Sequence, residues 1–182
     1  MKALCLVAHP DDCVIFAYGF IHSHPKLEWT ICYLTYTEHD SRGQELMQFW
    51  NQRSIHTQFL GYVDDYRDIE HEQISFDTVQ AEQAIHRICH AHDLILTHDA
   101  KGDYGHIHHK FVHDSVPADH RHVITFAAPG LGTDTYTIPD GAYRLDELPL
   151  HGHIILGFHY SKHVNSYSIA AVTKDMLYKK HN

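Results

Sequence analysis

Ala3-Leu4-Cys5-Leu6-Val7-Ala8-His9-Pro10-Asp11-Asp12 opens with six apolar residues in succession and ends in a polar turn. An unbroken apolar run of this length, without alternation, is the pattern of a strand covered on both faces. Working outward, residues 13–21 carry Val14, Tyr18 and Ile21 at helical spacing behind two acidic residues, and His24-Pro25 closes that helix. Residues 29–36 are rich in aromatic and β-branched side chains and read as a second strand, followed by a polar stretch over 37–43 and a helix over 44–52. A third strand over 55–62 leads into a charged loop holding Asp64, Asp65, Arg67, Asp68 and Glu70, in which nothing resembles a core.

The alternation continues. A helix over 76–90 has Ala81, Ile85 and Ile88 on one face, and residues 93–97 supply another apolar strand. Gly102 and Gly105 bracket Asp103-Tyr104, a short helix is expected from His106 until Pro117 ends it, a further strand over 123–128, and a loop over 129–141. Strands alternating with helices predict an α/β fold: a three-layer domain with a largely parallel sheet, read as one domain over 1–182. Such sheets deliver ligand-binding side chains beyond the carboxyl ends of their strands.

Composition narrows the function classes. Hydrophobic residues make up 43% and charged residues 20%, the balance of a globular protein expected to fold alone or as a homo-oligomer. With 14 Lys and Arg against 23 acidic residues the net charge is −9, which argues against nucleic acid as a partner. The N-terminal apolar run is too short for a signal peptide or a membrane span, so the cytosol is the expected compartment. Cys5, Cys13, Cys32 and Cys89 show no C-x-x-C spacing and read as reduced, buried thiols. Histidine is the outlier at 21 residues, far too many for all to be ligands, so chemistry has to be sought in a constellation.

Two segments form one. His9, Asp11 and Asp12 place three potential ligands within four positions directly after the first strand, and imidazole with carboxylate suits Zn²⁺, whose catalytic sites take about three protein ligands and leave a position open. Gly105-His106-Ile107-His108-His109 follows the fourth strand in the same way, with His106, His109 and His113 on one helical face by spacing. Either segment alone reads equally well as a turn, a helix cap or a solvated face. Together they converge on one edge of one sheet.

These residues resemble the PIG-L/LmbE-like zinc deacetylases, whose hallmarks are A-H-P-D-D after the first strand and a later G-H-x-x-H. Ala8 to Asp12 matches the first and Gly105 to His109 the second, Asp103-Tyr104 is also in keeping with the family, and Arg42-Gly43-Gln44-Glu45 looks like its R-x-x-E element. The similarity covers roughly the first three-fifths of the chain. It implies a Rossmann-like fold, zinc as cofactor, and removal of an N-acetyl group from a small, typically N-acetylglucosamine-containing substrate. Carried over by position, it makes His9, Asp12 and His109 the zinc ligands and Asp11 the base that takes a proton from the attacking water. His106 would stabilise the oxyanion or protonate the leaving amine.

Where the family commonly continues with glutamate this chain has Cys13, which cannot replace a carboxylate acceptor beside the ligands; as a free thiol it is expected to pack in the first helical turn. Arg42 either anchors substrate or pairs with Glu45 on the helix surface, Phe49 and Trp50 read as core or interface, and Tyr104 lines the pocket by its place beside the second motif. The chain is short for the family, so segments that shape the substrate pocket would be reduced or supplied by a partner subunit. Two other readings use the same residues: a metal-dependent hydrolase of another bond (a deamidase or esterase), and a metal- and sugar-binding module without turnover. Asp11 and His106 favour catalysis, since metal retention alone requires neither.

Overall fold

The structure, a computed structural model, describes residues 1–103 and 105–126. Among them, strands β1 (Lys2–Val7), β2 (Glu28–Thr35), β3 (His56–Tyr62), β4 (Leu94–Thr97) and β5 (Val123–Thr125) form one sheet in the order β3-β2-β1-β4-β5. Every pairing is parallel, and Ala3 stands opposite both Trp29 and Leu94. A π-helical turn over Cys13–Ala17 runs into α1 (Tyr18–Ser23); the other helices are α2 (Ser41–Asn51), α3 (Arg67–His71), α4 (Thr78–Cys89) and α5 (Ile107–Asp114).

Strand β1 is central, and its side chains divide between two cores. Ala3, Cys5 and Val7 join Phe16, Tyr18, Leu46, Phe49 and Trp50 from the π turn, α1 and α2. Leu4, Leu6 and Ala8 face the other way, onto Ala81, Ile85, Cys89 and Val112 of α4 and α5. Helices on both faces make the three layers, and every residue from Ala3 to Ala8 is fully buried, which is why the run carries no polar alternation. At about 1.5–3 kcal/mol for each large apolar side chain buried, this strand anchors both cores. No helix among the described residues is long and apolar enough to cross a membrane.

From β1 the chain steps to β2 and β3 on one side; α3 and α4 then carry it back across to β4 and β5 on the other. The connections leaving β1 and β4 therefore depart in opposite directions, and a crevice opens between the carboxyl ends of these two neighbours. Both sequence motifs begin there.

Several local expectations shift. The helix at residue 13 begins with a π turn, and Asp12 in front of it makes no capping bond because its Oδ2 accepts the His9 N–H at 2.7 Å. Helix α2 starts at Ser41, inside the stretch read as polar loop. It packs so closely there that a Cβ on Gly43 would stand 2.0 Å from the Thr37 carbonyl oxygen. The charged loop contains α3, and its Asp68 is buried, accepting at Oδ2 from the N–H and hydroxyl of Ser75 at 3.1 and 3.2 Å. The loop expected over 129–141 lies outside the described residues.

Candidate metal centre and active site

The connection after β1 is a tight turn. Asp12 N–H bonds back to the His9 carbonyl and Val14 N–H to that of Asp11, which turns His9, Asp11 and Asp12 into the crevice as buried polar residues. The connection after β4 is wound around Asp99, whose Oδ1 accepts the N–H groups of Lys101 and Asp103, both at 2.8 Å. Gly102, Asp103 and Gly105 all take positive φ, at 70°, 60° and 99°. At Gly102 the conformation and the space both demand glycine, since a Cβ would lie 2.6 Å from the His106 carbonyl oxygen. This winding brings Asp103 under His98 and His109.

His9 Nδ1, Asp12 Oδ2 and His109 Nε2 form a triangle of donor atoms. Its edges are 3.1 Å (His9 to His109), 3.2 Å (His109 to Asp12) and 3.3 Å (His9 to Asp12). Three ligands about 2.05 Å from a tetrahedral zinc stand roughly 3.3–3.4 Å apart, so the triangle has the size of one face of such a site. Two nitrogens and one carboxylate oxygen are also the donor chemistry that zinc takes. Asp103 Oδ2 accepts from His109 Nδ1 at 2.9 Å, which leaves the Nε2 lone pair turned into the triangle. Burial alone would raise Asp12, but His109 and His9 hold its carboxyl well below the usual range.

Asp11 lies beside this triangle. Burial and the adjacent Asp12 push it up to about 6, against the opposing pull of His9 and Arg42. Arg42 Nη2 stands 3.7 Å from Asp11 Oδ2, and its Nη1 donates to the Tyr36 hydroxyl at 3.3 Å. The guanidinium is therefore turned toward the crevice and not out along the helix surface. Its Nε and Nη2 are buried without a hydrogen-bond partner among the described residues.

His106 is not on the helical face with His109 and His113; it is the extended residue capping α5, and its Nδ1 accepts the His108 N–H at 3.2 Å. Its ring lies 4.5 Å from that of His9 and 4.8 Å from that of His109. Burial, and then those two neighbours, lower its pKa far below the ordinary histidine value. The ring is thus neutral with its proton on Nε2. His113 instead bonds through Nδ1 to the His98 carbonyl at 2.9 Å, behind the crevice. Tyr104 lies outside the described residues. Cys13 sits in the first helical turn as expected, its Sγ 2.8 Å from the Tyr33 hydroxyl, which also receives Trp50 Nε1–H at 2.9 Å. Phe49 and Trp50 are core.

The sequence reading missed His98, Asp64, Asp68 and His108. His98 stacks on His109 at 3.8 Å and shares Asp103 with it. Burial works against a charge on His98 while Asp103 and Asp12 raise its pKa. The Ala8 N–H, 3.0 Å from Nε2, needs a lone pair there, so we place the ring neutral with its proton on Nδ1. That removes Nε2 from ligand duty, although Asp12, His98 and His109 are close enough to hold an ion. His9, His106 and His109, and His9, Asp64 and His108, form similar groups around the same crevice. His108 Nε2 donates to Asp68 at 2.8 Å. Burial and then the His108 and Ser75 bonds act oppositely on Asp68, with the bonds prevailing and lowering it; burial outweighs Asp68 at His108 and lowers that ring too. In that bond the carboxylate is the acceptor and the imidazole N–H the donor.

The model of one protein family, PIG-L, described as GlcNAc-PI de-N-acetylase, matches residues 4–119, which is more than half of the chain. Among solved structures, the 4-carboxy-2-hydroxymuconate hydratase GalB from Pseudomonas putida KT2440 is similar at 19% identity and a TM-score of 0.46, over 63% of this chain and 53% of that one. The N,N'-diacetylchitobiose deacetylase from Pyrococcus horikoshii is similar at 21% identity and a TM-score of 0.45, over 63% and 47%. A deacetylase of teicoplanin biosynthesis is similar at 12% identity and a TM-score of 0.48, over 63% and 60%. The matched part of this chain thus spans about half of the length of those proteins.

Proposed function

This chain belongs to the PIG-L family of de-N-acetylases, and from that premise we propose that it is a zinc-dependent hydrolase that removes an N-acetyl group from a small amino-sugar-type substrate containing N-acetylglucosamine. The observation that carries the reading is the donor triangle of His9 Nδ1, Asp12 Oδ2 and His109 Nε2, with edges of 3.1 to 3.3 Å. In this reading those three residues hold the ion. Zinc supplies Lewis acidity there, lowering the pKa of water and polarising an amide carbonyl.

The remaining work belongs to side chains. Asp11 takes a proton from the attacking water and, once protonated, returns it to the departing amine. His106 presents Nε2–H, because its Nδ1 lone pair is occupied by the His108 N–H. It therefore serves as a neutral hydrogen-bond donor to the oxyanion and not as the acid, a choice that the sequence left open. Arg42 keeps Asp11 in place through Nη2, 3.7 Å from the carboxylate. Water adds to the acetamide carbon, the carbon–nitrogen bond breaks, and acetate and a free amine leave.

The test is a release assay on zinc-loaded protein with N-acetylglucosamine, its nucleotide-linked form, chitobiose and N-acetylated lipid conjugates, scoring acetate and ammonia separately. Metal-dependent acetate release from at least one, lost in His106→Ala while zinc is retained, is the expected result. Ammonia in place of acetate would make the protein a deamidase. A sugar bound tightly with no product would make it a binding module.

A further inference from the structure

We propose that the edge of the sheet opposite to the crevice carries a second metal site, in which His90, His92 and His122 bind a divalent transition-metal ion of the zinc type with Asp119 beside them. The proposal does not depend on the reading of the crevice.

Two H-x-H segments carry it, His90-Ala91-His92 and His120-Arg121-His122. The first stands between α4 and β4, the second just ahead of β5. These strands are parallel neighbours with Ile95 opposite Val123, so both segments arrive at the same amino edge. The Ile95 N–H bonds to the His122 carbonyl at 2.9 Å. Between the segments lies an open hollow of about 440 Å³, lined by all four histidines with Asp93 and Asp119.

Hydrogen bonds sort these side chains into supports and donors. His120 is a support: its Nε2 donates to the His92 carbonyl at 3.0 Å, and its Nδ1 faces the His122 N–H at 3.4 Å. Asp93 is engaged in accepting the Lys2 N–H at 2.8 Å. His92 is turned for ligation, because its Nδ1 donates to the Ile88 carbonyl at 2.8 Å and leaves the lone pair on Nε2. A backbone carbonyl on the second nitrogen is a common way of orienting a metal-binding imidazole. The side chains of His90, His122 and Asp119 make no hydrogen bond or ion pair among the described residues. Three imidazoles and a carboxylate suit zinc and its neighbours, whereas magnesium and calcium take oxygen donors. Arg121 also lines the hollow, but it is exposed and solvent screens its charge.

No three of these donors stand within 4.8 Å of one another as the side chains lie. His90, His122 and Asp119 are exposed, and gathering them into one shell costs rotamer freedom. The ion is therefore held more weakly than one in the crevice triangle and is lost on gel filtration. When bound, it ties the α4–β4 corner to the start of β5, an edge strand of three residues. The competing arrangement lies along α4, where His86 stands one turn before His90 with ring centroids 6.4 Å apart and Glu82 is 3.8 Å from His86 Nε2.

The experiment is equilibrium dialysis of the full chain against buffered free Zn²⁺ in the micromolar range, with metal analysis, beside two-bond proton–nitrogen spectra of the histidine rings during a zinc titration. The expected result is zinc uptake beyond what survives gel filtration, with the His92 Nε2 and His122 ring signals moving as that extra ion binds. His92→Gln and His122→Gln should each lose the extra ion and keep the tightly held one, His86→Gln should lose neither, and Asp12→Ala should still take up the extra ion in dialysis. Absence of extra uptake overturns the proposal. So does extra uptake that leaves the His92 and His122 signals of the wild type unmoved, or that His86→Gln removes, which would place the ion on the helix face. The ring signals decide even if a variant fails to fold. A protein that fills this hollow and releases no acetate would end the deacetylase reading alone.

Discussion

His109 and His9 face the same point from opposite connections and are held there in different ways. His109 is secured locally: Asp103, six positions earlier, accepts its Nδ1–H directly and takes His98 as well. The loop that allows this is bent through three positive-φ residues. His9 is secured at a distance, through His108 on α5 and Asp68 on α3, an element of five residues with exposed Tyr66 before it and exposed Ile69 within it. A local support concentrates strain in a short loop. A remote support makes the centre depend on the docking of a segment that has little apolar burial of its own, and such segments open first.

The largest expected effect removes the node that both supports serve. Asp12→Ala should abolish zinc retention, while Asp11→Asn should keep the ion and lower turnover about 10²–10⁴-fold, the usual range for loss of an acid–base group. Metal analysis after gel filtration, beside initial rates, separates the two. Equal metal loss in both variants would mean that both carboxylates coordinate.

Next comes the contrast between supports. Asp103→Ala strands two buried imidazole donors and is expected to destabilise the fold by about 2–5 kcal/mol, against about 1–3 kcal/mol for Asp68→Ala. Both should weaken zinc by about 10–100-fold. Denaturant unfolding of the metal-free variants reads the difference. If Asp68→Ala destabilises as much as Asp103→Ala, the remote support is as integral to the fold as the local one.

Within the local support, Gly102→Ala should be the more harmful of two glycine changes. It combines positive φ with a Cβ 2.6 Å from the His106 carbonyl oxygen, whereas a Cβ at Gly105 meets nothing within 4 Å. Backbone strain alone is worth about 1–3 kcal/mol, and only Gly102→Ala should also displace His106 and reduce turnover. Equal losses of activity from the two would place the sensitivity in backbone conformation and not in the close approach.

The same contrast explains what could be read in advance. β1 was legible because burial on both faces leaves a run without polar residues, and His9, Asp11 and Asp12 because the end of such a strand opens into the crevice. Asp103 stood next to a recognisable motif. His98 was one histidine among 21 with no spacing to mark it. Asp68 looked like part of a solvated charge run, since its partner His108 reaches it only once α5 packs beneath α3. Arg42 turns inward because Tyr36, at a φ of 64°, places a hydroxyl to receive it, a feature of the backbone that no residue pattern announces.

Cys13 should give the smallest effect, and it tests whether the donor triangle needs a third support. The thiol occupies the position at which the family commonly has a glutamate, yet its Sγ meets the Tyr33 hydroxyl at 2.8 Å within the core of α1, α2 and β1. Burial pushes its pKa far up, despite the Tyr33 and Trp50 hydrogen bonds, so it stays a protonated, unreactive thiol. Cys13→Ala leaves Tyr33 with the Trp50 donor and removes one sulfur atom of packing, an expected loss of about 1–2 kcal/mol. Zinc affinity should match the wild type, because Asp103 and the Asp68–His108 pair already supply partners to both imidazoles of the triangle. A fall in zinc affinity comparable to that of Asp68→Ala, measured by competition with a chromophoric chelator, would show that the thiol supports the triangle after all.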